Sequence, residues 1–363
     1  MNSKGGRATA TKERVTIYRI AREAGVSVAS VSRVLTGNAR VAEEKRRRIE
    51  EAISKHSFRP SAIARSLKRQ KSRVIGVILP DVSHPFWGSA FLGAESQAVE
   101  RGYSLLLGNT LNDRAGHVTH VESRLLEVML DKRVDGIILM GGRVNEARPI
   151  PEHRDEVRRV MSQVPVVTCG RMKGLGCWTV EIDEPRTIAL AVDHLVALGH
   201  RRLGFLGGMR GIEPTDARIA AFGALLQGHG LPFEPAWCVE GGFGIEDGKA
   251  TTESFLAMRD RPTALVCFND MTAIGVLSAA RETGLRVPEE LSVVGIDNIA
   301  LAEFAYPRLT SVDLDARRYG SSAVDLMVDV LEARRPRRHV VLEPSLIVRD
   351  SCTRPAGQAP PVP

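Results

Sequence analysis

Eight polar or aromatic residues of this chain fall where a small polar molecule could be bound. Most of them follow the ends of strand-like segments, and such ends form the ligand-binding edge of an open α/β sheet. Carboxylates and amides can hold sugar hydroxyls bidentately, while an aromatic ring covers the apolar face of the sugar. This combination of carboxylates, amides and aromatic rings therefore favours a sugar or sugar acid as ligand. A purine is the alternative, because an aromatic ring and an arginine can also bind a purine. The eight predicted ligand-binding residues are Asp81, Phe86, Trp87, Arg171, Arg218, Asn269, Asp270 and Asp297.

Two of these carboxylates also have local structural interpretations. Asp270 can cap a helix that begins at Met271, and Asp297 can cap a turn. Both interpretations remain open at the level of sequence.

Motifs for catalysis are missing from the sequence. No GxGxxG follows the first strand, the GGMRG of residues 207–211 lacks that spacing, and neither a GxSxG elbow nor a P-loop occurs. His117 and His120 are three residues apart on a predicted helix, but no carboxylate or cysteine accompanies them as a further metal ligand. We therefore predict no catalytic residue, no cofactor and no metal site.

Alternating strands and helices must position the ligand-binding residues. From Val74 onward, continuous apolar runs of strand length alternate with amphipathic helical segments, which is typical of a parallel sheet covered on both faces. The predicted strands are VIGVILP, YSLLLGN, DGIILMG, PVVTCG, RLGFLGG, ALVCFND and LSVVGID, with LTSVDL and HVVLEPSLIVRDS still to be placed. Helices are predicted near residues 89–101, 115–131, 152–162, 184–198, 215–228, 247–259 and 271–283.

A boundary near Gly170 separates two such α/β units. We predict one domain over residues 74–352 with a cleft between two lobes. Lobe 1 would comprise about 74–170 and 311–335, and lobe 2 about 171–308 and 336–352. The proline-rich residues 353–363 are predicted to be a disordered tail.

The N-terminal part has a different pattern, that of a helix-turn-helix. Apolar residues recur at helical spacing over TIYRIAREAGVSVASVSRVL, residues 16–35. Gly25 can take the left-handed conformation that ends the first helix, Val26 can fill the gap between the helices, and Ser27 can cap the second. The second helix should turn Val28, Ala29, Ser32 and Arg33 away from the core, a geometry that fits the major groove of DNA.

A third helix and a short conditional helix follow. The third is amphipathic, with a basic run over residues 45–48, and the conditional one is RPSAIARSL at residues 59–67. We predict a disordered arm over 1–14, a DNA-binding domain over 15–58, and a hinge helix with its linker over 59–73.

The AGVSVASVSRVL turn and the PSAIARSL hinge, at this separation, resemble the signature of the lactose-repressor (LacI/GalR) family of bacterial transcription regulators. The resemblance covers nearly the whole chain and implies an all-α helix-turn-helix domain with a hinge helix, followed by a two-lobed α/β domain like a periplasmic binding protein. It implies a dimer on a near-palindromic operator, with Leu67 as a wedge in the minor groove. It also places Arg218, Asn269, Asp270 and Asp297 at effector-site positions. The implied DNA-binding residues are Thr16, Tyr18, Ser27, Val28, Ala29, Ser30, Ser32, Arg33, Ser61, Ala64 and Leu67.

Four positions depart from the family pattern. Arg19 replaces an acidic residue, Ala42 replaces a Ser or Thr helix cap, and Phe58 replaces a Tyr. Gly170 stands where many relatives have an aspartate, so an effector cannot be copied from one of them.

Charge is distributed unevenly along the chain. Residues 1–73 contain 19 Lys or Arg and 6 Glu, a balance of +13, whereas the whole chain carries +7, so the remainder carries −6. A basic head of this kind predicts a nucleic-acid partner, and no amphipathic helix has the aromatic face that a membrane surface would require. Five widely spaced cysteines without a CxxC pair, and the absence of a signal peptide or membrane span, indicate a cytoplasmic protein.

Together these observations predict a cytoplasmic, dimeric DNA-binding transcription regulator, a repressor controlled by a small effector. The sign of the effector's action stays open. The alternative is a solute-binding or sugar-processing protein whose basic head has no DNA function, but no export signal or nucleotide motif supports it.

Overall fold

The computed structural model describes residues 16–35, 41–56, 58, 72–110 and 118–355, and the chain divides into two compact units, Met1–Ser72 and Arg73–Pro363. The predicted N-terminal arm and most of the predicted hinge and linker lie outside the described residues, as does the tail from residue 356.

The first unit contains three helices, α1 (Ile17–Glu23), α2 (Val28–Leu35) and α3 (Glu43–Lys55). Ile20, Val31 and Ile49, one from each helix, are fully buried against one another. The turn between α1 and α2 behaves as its residues predict. Gly25 has a φ of +62°, and Ser27 Oγ accepts a hydrogen bond from the backbone N–H of Ser30 at 3.3 Å.

The second unit is built from twelve strands and nine α-helices among the described residues. The strands are β1 (Val74–Leu79), β2 (Ser104–Asn109), β3 (Gly136–Met140), β4 (Val166–Cys169), β5 (Trp178–Ile182), β6 (Leu203–Leu206), β7 (Cys238–Val239), β8 (Ala264–Cys267), β9 (Ser292–Asp297), β10 (Thr310–Asp313), β11 (His339–Leu342) and β12 (Ser345–Ile347). The helices are α4 (Pro85–Glu100), α5 (Val118–Asp131), α6 (Pro151–Met161), α7 (Glu184–Ala197), α8 (Glu213–Gly228), α9 (Ile245–Leu256), α10 (Asp270–Thr283), α11 (Ala300–Phe304) and α12 (Ala316–Leu331).

These strands form two six-stranded sheets, one for each lobe. Their orders are β11-β5-β4-β3-β1-β2 and β12-β10-β9-β8-β6-β7, and every pairing is parallel except that of β10 with β12. The central strands β3, β4, β8 and β9 are buried along their whole length because helices cover both faces, as their continuous apolar sequences predict.

The lobes differ from the predicted ones in three strands. WTVEI was not predicted as a strand, yet it forms β5 and pairs with β4, so the chain leaves the first lobe only at α7 and not at Gly170. β10 pairs with β9 and belongs to the second lobe, whereas β11 pairs with β5 and belongs to the first. The prediction was wrong here because apolar runs identify strands but do not show which sheet a strand joins.

The two ends of the second unit also differ from the predicted boundaries. Arg73, predicted as linker, donates its N–H to the Asp135 carboxylate at 2.8 Å, and its guanidinium lies 4.9 Å from the Tyr103 ring centroid. At the other end, Thr353 donates its backbone N–H to Ser292 Oγ at 3.0 Å. Both residues are therefore part of the folded body.

Close packing of α4 against α12 depends on two glycines. A Cβ at Gly93 would lie 2.0 Å from the backbone oxygen of Arg317, and one at Gly320 would lie 1.8 Å from that of Ala90. The helix backbones approach so closely that only glycine fits at these positions. This contact joins α12, which follows β10 of the second sheet along the chain, to the first lobe.

Candidate functional site

A cavity of about 350 Å³ lies between the two lobes, and residues from both of them form its wall. Six of the eight predicted ligand-binding residues line it: Phe86, Trp87, Arg171, Arg218, Asn269 and Asp297. The volume is sufficient for a small organic ligand. The carboxyl ends of the strands and the amino ends of the following helices bring these side chains together.

Asp81 and Asp270 do not line the cavity. Asp81 accepts hydrogen bonds from the N–H and hydroxyl of Ser83, at 2.8 and 2.6 Å, in the turn before α4. Asp270 is fully buried behind the wall. The prediction that they contact the ligand was wrong for both because each carboxylate is used within the protein.

Asp270 anchors the loop that carries Asp297. Its carboxylate accepts hydrogen bonds from the Ile299 N–H at 2.8 Å and from the Ser311 hydroxyl at 2.6 Å. Burial raises the pKa of Asp270 to about 7, although these two hydrogen bonds act in the opposite direction. Asn269, and not Asp270, caps α10: its side-chain oxygen accepts a hydrogen bond from the Thr272 N–H at 2.8 Å.

Asp297 ends β9 with a φ of +110°, a backbone conformation that L-residues rarely adopt. Its side chain is buried, and among the described residues no hydrogen bond engages its carboxyl group. Burial, and then the neighbouring Asp270, raise the pKa of Asp297 well above its ordinary value, whereas Arg218 lowers it. A buried carboxyl without a partner beside a cavity is a strong candidate for ligand contact.

Arg218 on α8 is buried and makes three hydrogen bonds, to Glu184 and Phe268. Its Nε and Nη2 donate to the two carboxylate oxygens of Glu184 at 2.6 and 3.2 Å, and its Nη1 donates to the backbone oxygen of Phe268 at 2.6 Å. The guanidinium also lies 4.5 Å from the Phe268 ring centroid. This is a bidentate, stacked arrangement that fixes the position of the cation at the cavity wall.

Asn269 connects the lobes across the cleft. Its Nδ2 donates to the backbone oxygen of Phe243 at 2.9 Å and lies 3.3 Å from Nε2 of His84, the residue that caps α4. Burial lowers the pKa of His84, which favours the neutral ring that such a contact requires. A second interlobe contact joins the Ala147 N–H to the Gly211 oxygen at 2.9 Å.

Sequence reasoning missed several residues of the wall. Two of them were missed because β5 was not predicted as a strand: Glu181 lies on β5, and Glu184 begins the helix that follows it. Phe243 and Phe268 pack edge to face with centroids 5.0 Å apart and add aromatic surface to the cavity. The missed residues with polar or aromatic side chains are His84, Asn145, Lys173, Glu181, Glu184, Glu213, Phe243, Phe268 and Tyr319.

The space beside Gly170, which has no side chain, is taken by the side chain of Asn145. Its φ is +107°, and a Cβ placed on it would lie 2.9 Å from the side-chain oxygen of Asn145. Asn145 thus brings an amide to the part of the cavity next to Gly170. An aspartate at position 170 would have to adopt an unfavourable φ, and its side chain would collide with this amide.

The surface of α2 in the first unit is partly as predicted. Ala29 and Arg33 are exposed, and Tyr18 on α1 is 70% exposed. Val28, predicted to face away from the core, instead packs partly against it, because it is the first residue of α2 and lies beside the α1–α2 turn. Thr16 and Ser27 are exposed, and Ser30 and Ser32 are half-buried. Ser61, Ala64 and Leu67 lie outside the described residues.

Comparison with known proteins agrees with this architecture. Residues 16–61 match the family model of bacterial regulatory proteins of the lacI family, and residues 192–352 match that of the periplasmic binding protein-like domain. Catabolite control protein A of Priestia megaterium is 34% identical over 92% of this chain and 97% of its own length. The chain belongs to the lacI family. It is a DNA-binding transcriptional regulator whose second unit is an effector-binding domain.

Other members of the lacI family are similar along the same length. The HTH-type transcriptional repressor PurR of Aliivibrio salmonicida is 31% identical over 93% of this chain and 98% of its own. The crystal structure of the lac repressor dimer bound to operator and the anti-inducer ONPF superposes with a TM-score of 0.83, at 26% identity over 94% of this chain and all of that chain. The complex of the transcriptional regulator CelR with cellobiose gives a TM-score of 0.68 at 26% identity, over 93% of this chain and all of that chain.

Metal-binding clusters and membrane-spanning helices are both missing from the described part of the chain. Within it, no group of three or more His, Cys, Asp or Glu side chains could hold a metal ion, and His117 lies outside it. None of the helices that the structure describes is long and apolar enough to cross a lipid bilayer.

Proposed function

We propose that this regulator is a repressor that binds a near-palindromic operator as a homodimer, with α2 of each copy in the major groove. The observation that supports the groove assignment is the small exposed face of α2, where Ala29 and Arg33 lie one turn apart. The planar guanidinium of Arg33 can contact guanine O6 and N7.

An electrophoretic shift on the DNA upstream of the protein's own gene tests this proposal. Arg33→Ala should weaken operator binding by about 1–3 kcal/mol and reduce the base specificity at one position of the operator. Arg286→Ala, which removes an exposed arginine paired with Glu290 on the second unit, is the charge-matched control and should leave DNA affinity unchanged. If Arg33→Ala weakens binding to operator and random DNA equally, Arg33 contacts phosphate and the base-reading assignment fails.

The cavity between the lobes is, on the same proposal, the effector site, and its ligand is a sugar or sugar acid. The observation that carries this assignment is the buried carboxyl of Asp297, which faces the cavity without a hydrogen-bond partner among the described residues. A polyhydroxylated ligand supplies donors for Asp297, and Trp87 and Phe268 supply apolar faces for its ring.

A thermal-shift screen of the whole protein against sugars, sugar acids, nucleobases and nucleosides tests the ligand class. A ligand at about 100 times its Kd should stabilise the effector-binding unit by about 2.7 kcal/mol. Asp297→Ala should abolish that shift, because the ligand's hydroxyls lose their acceptor in a buried site. Asp193→Ala, in an exposed pair with His229, is the control and should keep it. If a nucleobase stabilises the protein and no sugar does, the sugar assignment is wrong. If the ligand stabilises Asp297→Ala as much as wild type, the ligand site lies elsewhere.

The protein would act in the cytoplasm, where the chromosomal DNA it reads is found, and it would act by binding rather than by catalysis. The arrangement of its cavity supports binding, since Glu184 and Arg218 neutralise each other there and neither is placed as an acid or base.

A further inference from the structure

The two arginines of the cavity wall already have anionic partners within the protein. Among the described residues, Arg171, Lys173 and Arg218 are the cations of the wall. Arg171 pairs with Glu181 and Arg218 pairs with Glu184, and Glu213 also lines the wall. This inference rests on the proposed function, because it concerns which ligands the effector site accepts.

Arg218 is the only one of the three described cations that is buried, and three of its guanidinium N–H donors are already hydrogen-bonded. Glu184 takes two of its five N–H donors in a bidentate pair, and the Phe268 oxygen takes a third. The side chain of Glu184 is only 15% exposed, so water screens this pair weakly. A carboxylate on a ligand would have to displace Glu184 or sit beside it as a second anion in a poorly screened site.

The second arginine of the wall also pairs with a glutamate, but through a single carboxylate oxygen and in a more exposed position. Glu181 Oε1 accepts hydrogen bonds from Nη2 and Nε of Arg171, at 3.2 and 3.3 Å, and from the Thr179 hydroxyl at 2.8 Å. Arg171 is 58% exposed, so an anion could still approach it through solvent. Selection against anions therefore depends mainly on the buried pair.

A neutral ligand meets no such obstacle. A hydroxyl can accept a hydrogen bond from an N–H of Arg218 that Glu184 and Phe268 leave unused, and it can donate to the carboxylate of Glu184. We propose that Glu184 is a specificity-determining residue that excludes acidic ligands from the cleft, so that the effector is a neutral, hydroxyl-rich molecule and not a sugar acid.

The test compares matched neutral and acidic probes on the full-length protein. Affinities for D-glucose and D-glucuronate, and for D-galactose and D-galacturonate, are measured by calorimetry and thermal shift. Wild type should bind neither acid more tightly than its neutral counterpart. Glu184→Gln, which keeps the side-chain shape and one acceptor for Arg218, should bind the acids at least about tenfold more tightly than wild type does.

Control variants separate the charge of Glu184 from its structural role. Glu184→Gln combined with Arg218→Met should lose the gain in acid binding, since the freed guanidinium is then missing. Glu181→Gln should give a smaller gain because Arg171 is exposed, and Glu290→Gln, whose partner Arg286 lies outside the cavity, should give none.

The outcomes distinguish this inference from the proposed function. If wild type binds a sugar acid more tightly than the matched neutral sugar, the proposed role of Glu184 is wrong, while the sugar-class proposal stands. This outcome is measured on wild type alone and so does not depend on whether a variant folds. A folded Glu184→Gln without any gain in acid binding also overturns it. If wild type binds no neutral sugar but Glu184→Gln binds the sugar acids more tightly than wild type does, the exclusion of acids by Glu184 is supported and the sugar-class proposal fails.

Discussion

Replacing Asp270 by asparagine should make the effector-binding unit more stable at neutral pH. In the folded protein burial raises the pKa of Asp270 from 3.8 to about 7, so its carboxyl stays protonated over a range in which the unfolded chain has already released the proton. The free energy of unfolding therefore falls as the pH rises from about 4 to about 7, and it stays low above that. The difference of about 3 pKa units corresponds to a loss of about 4 kcal/mol.

The side chain introduced by Asp270→Asn would be neutral at every pH and would match the protonated acid in shape. Its oxygen can accept from the Ile299 N–H, and its amide can donate to Ser311, whose hydroxyl rotates. Asp270→Asn and wild type should thus have similar stability near pH 4, and by pH 8 the variant should be more stable by an amount on the order of 4 kcal/mol.

Urea unfolding from pH 4 to pH 8, followed by tryptophan fluorescence, measures this difference. The chain has three tryptophans, Trp87, Trp178 and Trp237, and all of them belong to the effector-binding unit. Asp350→Asn, which removes an exposed partner of Arg308, is the control and should not reproduce the gain. A variant that is less stable than wild type at pH 8, or a gain that is equal at pH 4 and pH 8, would refute the reasoning.

Two further variants test the hinge and the close helix packing. Leu67→Ala should reduce operator affinity and DNA bending but leave effector binding unchanged, and equal bends in a circular-permutation assay would contradict a wedge role. Gly320→Ala should destabilise the first lobe by about 3 kcal/mol or more in urea unfolding, because the new Cβ would lie 1.8 Å from the Ala90 oxygen. Gly228→Ala, on a helix position with open space, should instead be neutral or stabilising, and a Gly320→Ala protein as stable as wild type would refute the packing argument.

Local patterns predicted the elements of this fold well. Gly25 and Ser27 form the turn that their residue types indicate, because a left-handed glycine and a serine cap act over only a few residues. The long parallel strands were also found, since strands buried on both faces are continuously apolar. β5 was missed because it contains Thr179 and Glu181, whose polar side chains interrupt the apolar run.

The candidate site was predictable where a strand end or a family motif fixes a position. Asp297 was found because it ends β9, and Asn269 because it lies two residues after β8. Arg218 lies on α8 and was placed at the site by the resemblance to the family. Glu184 was missed, because its pairing with Arg218 joins residues 34 positions apart and depends on how α7 and α8 pack. Asp270 was assigned to the ligand because sequence cannot show whether a carboxylate at a strand end points outward or inward.

Operator affinity with and without the effector tests the central claim most directly. Fluorescence anisotropy is measured on labelled operator for wild type and Asp297→Ala, using a ligand that stabilises wild type in the thermal-shift screen. We predict that the ligand changes wild-type operator affinity by at least about fivefold, whereas Asp297→Ala binds the operator like ligand-free wild type and does not respond. A ligand that stabilises wild type but leaves its operator affinity unchanged would contradict control of DNA binding from the cleft.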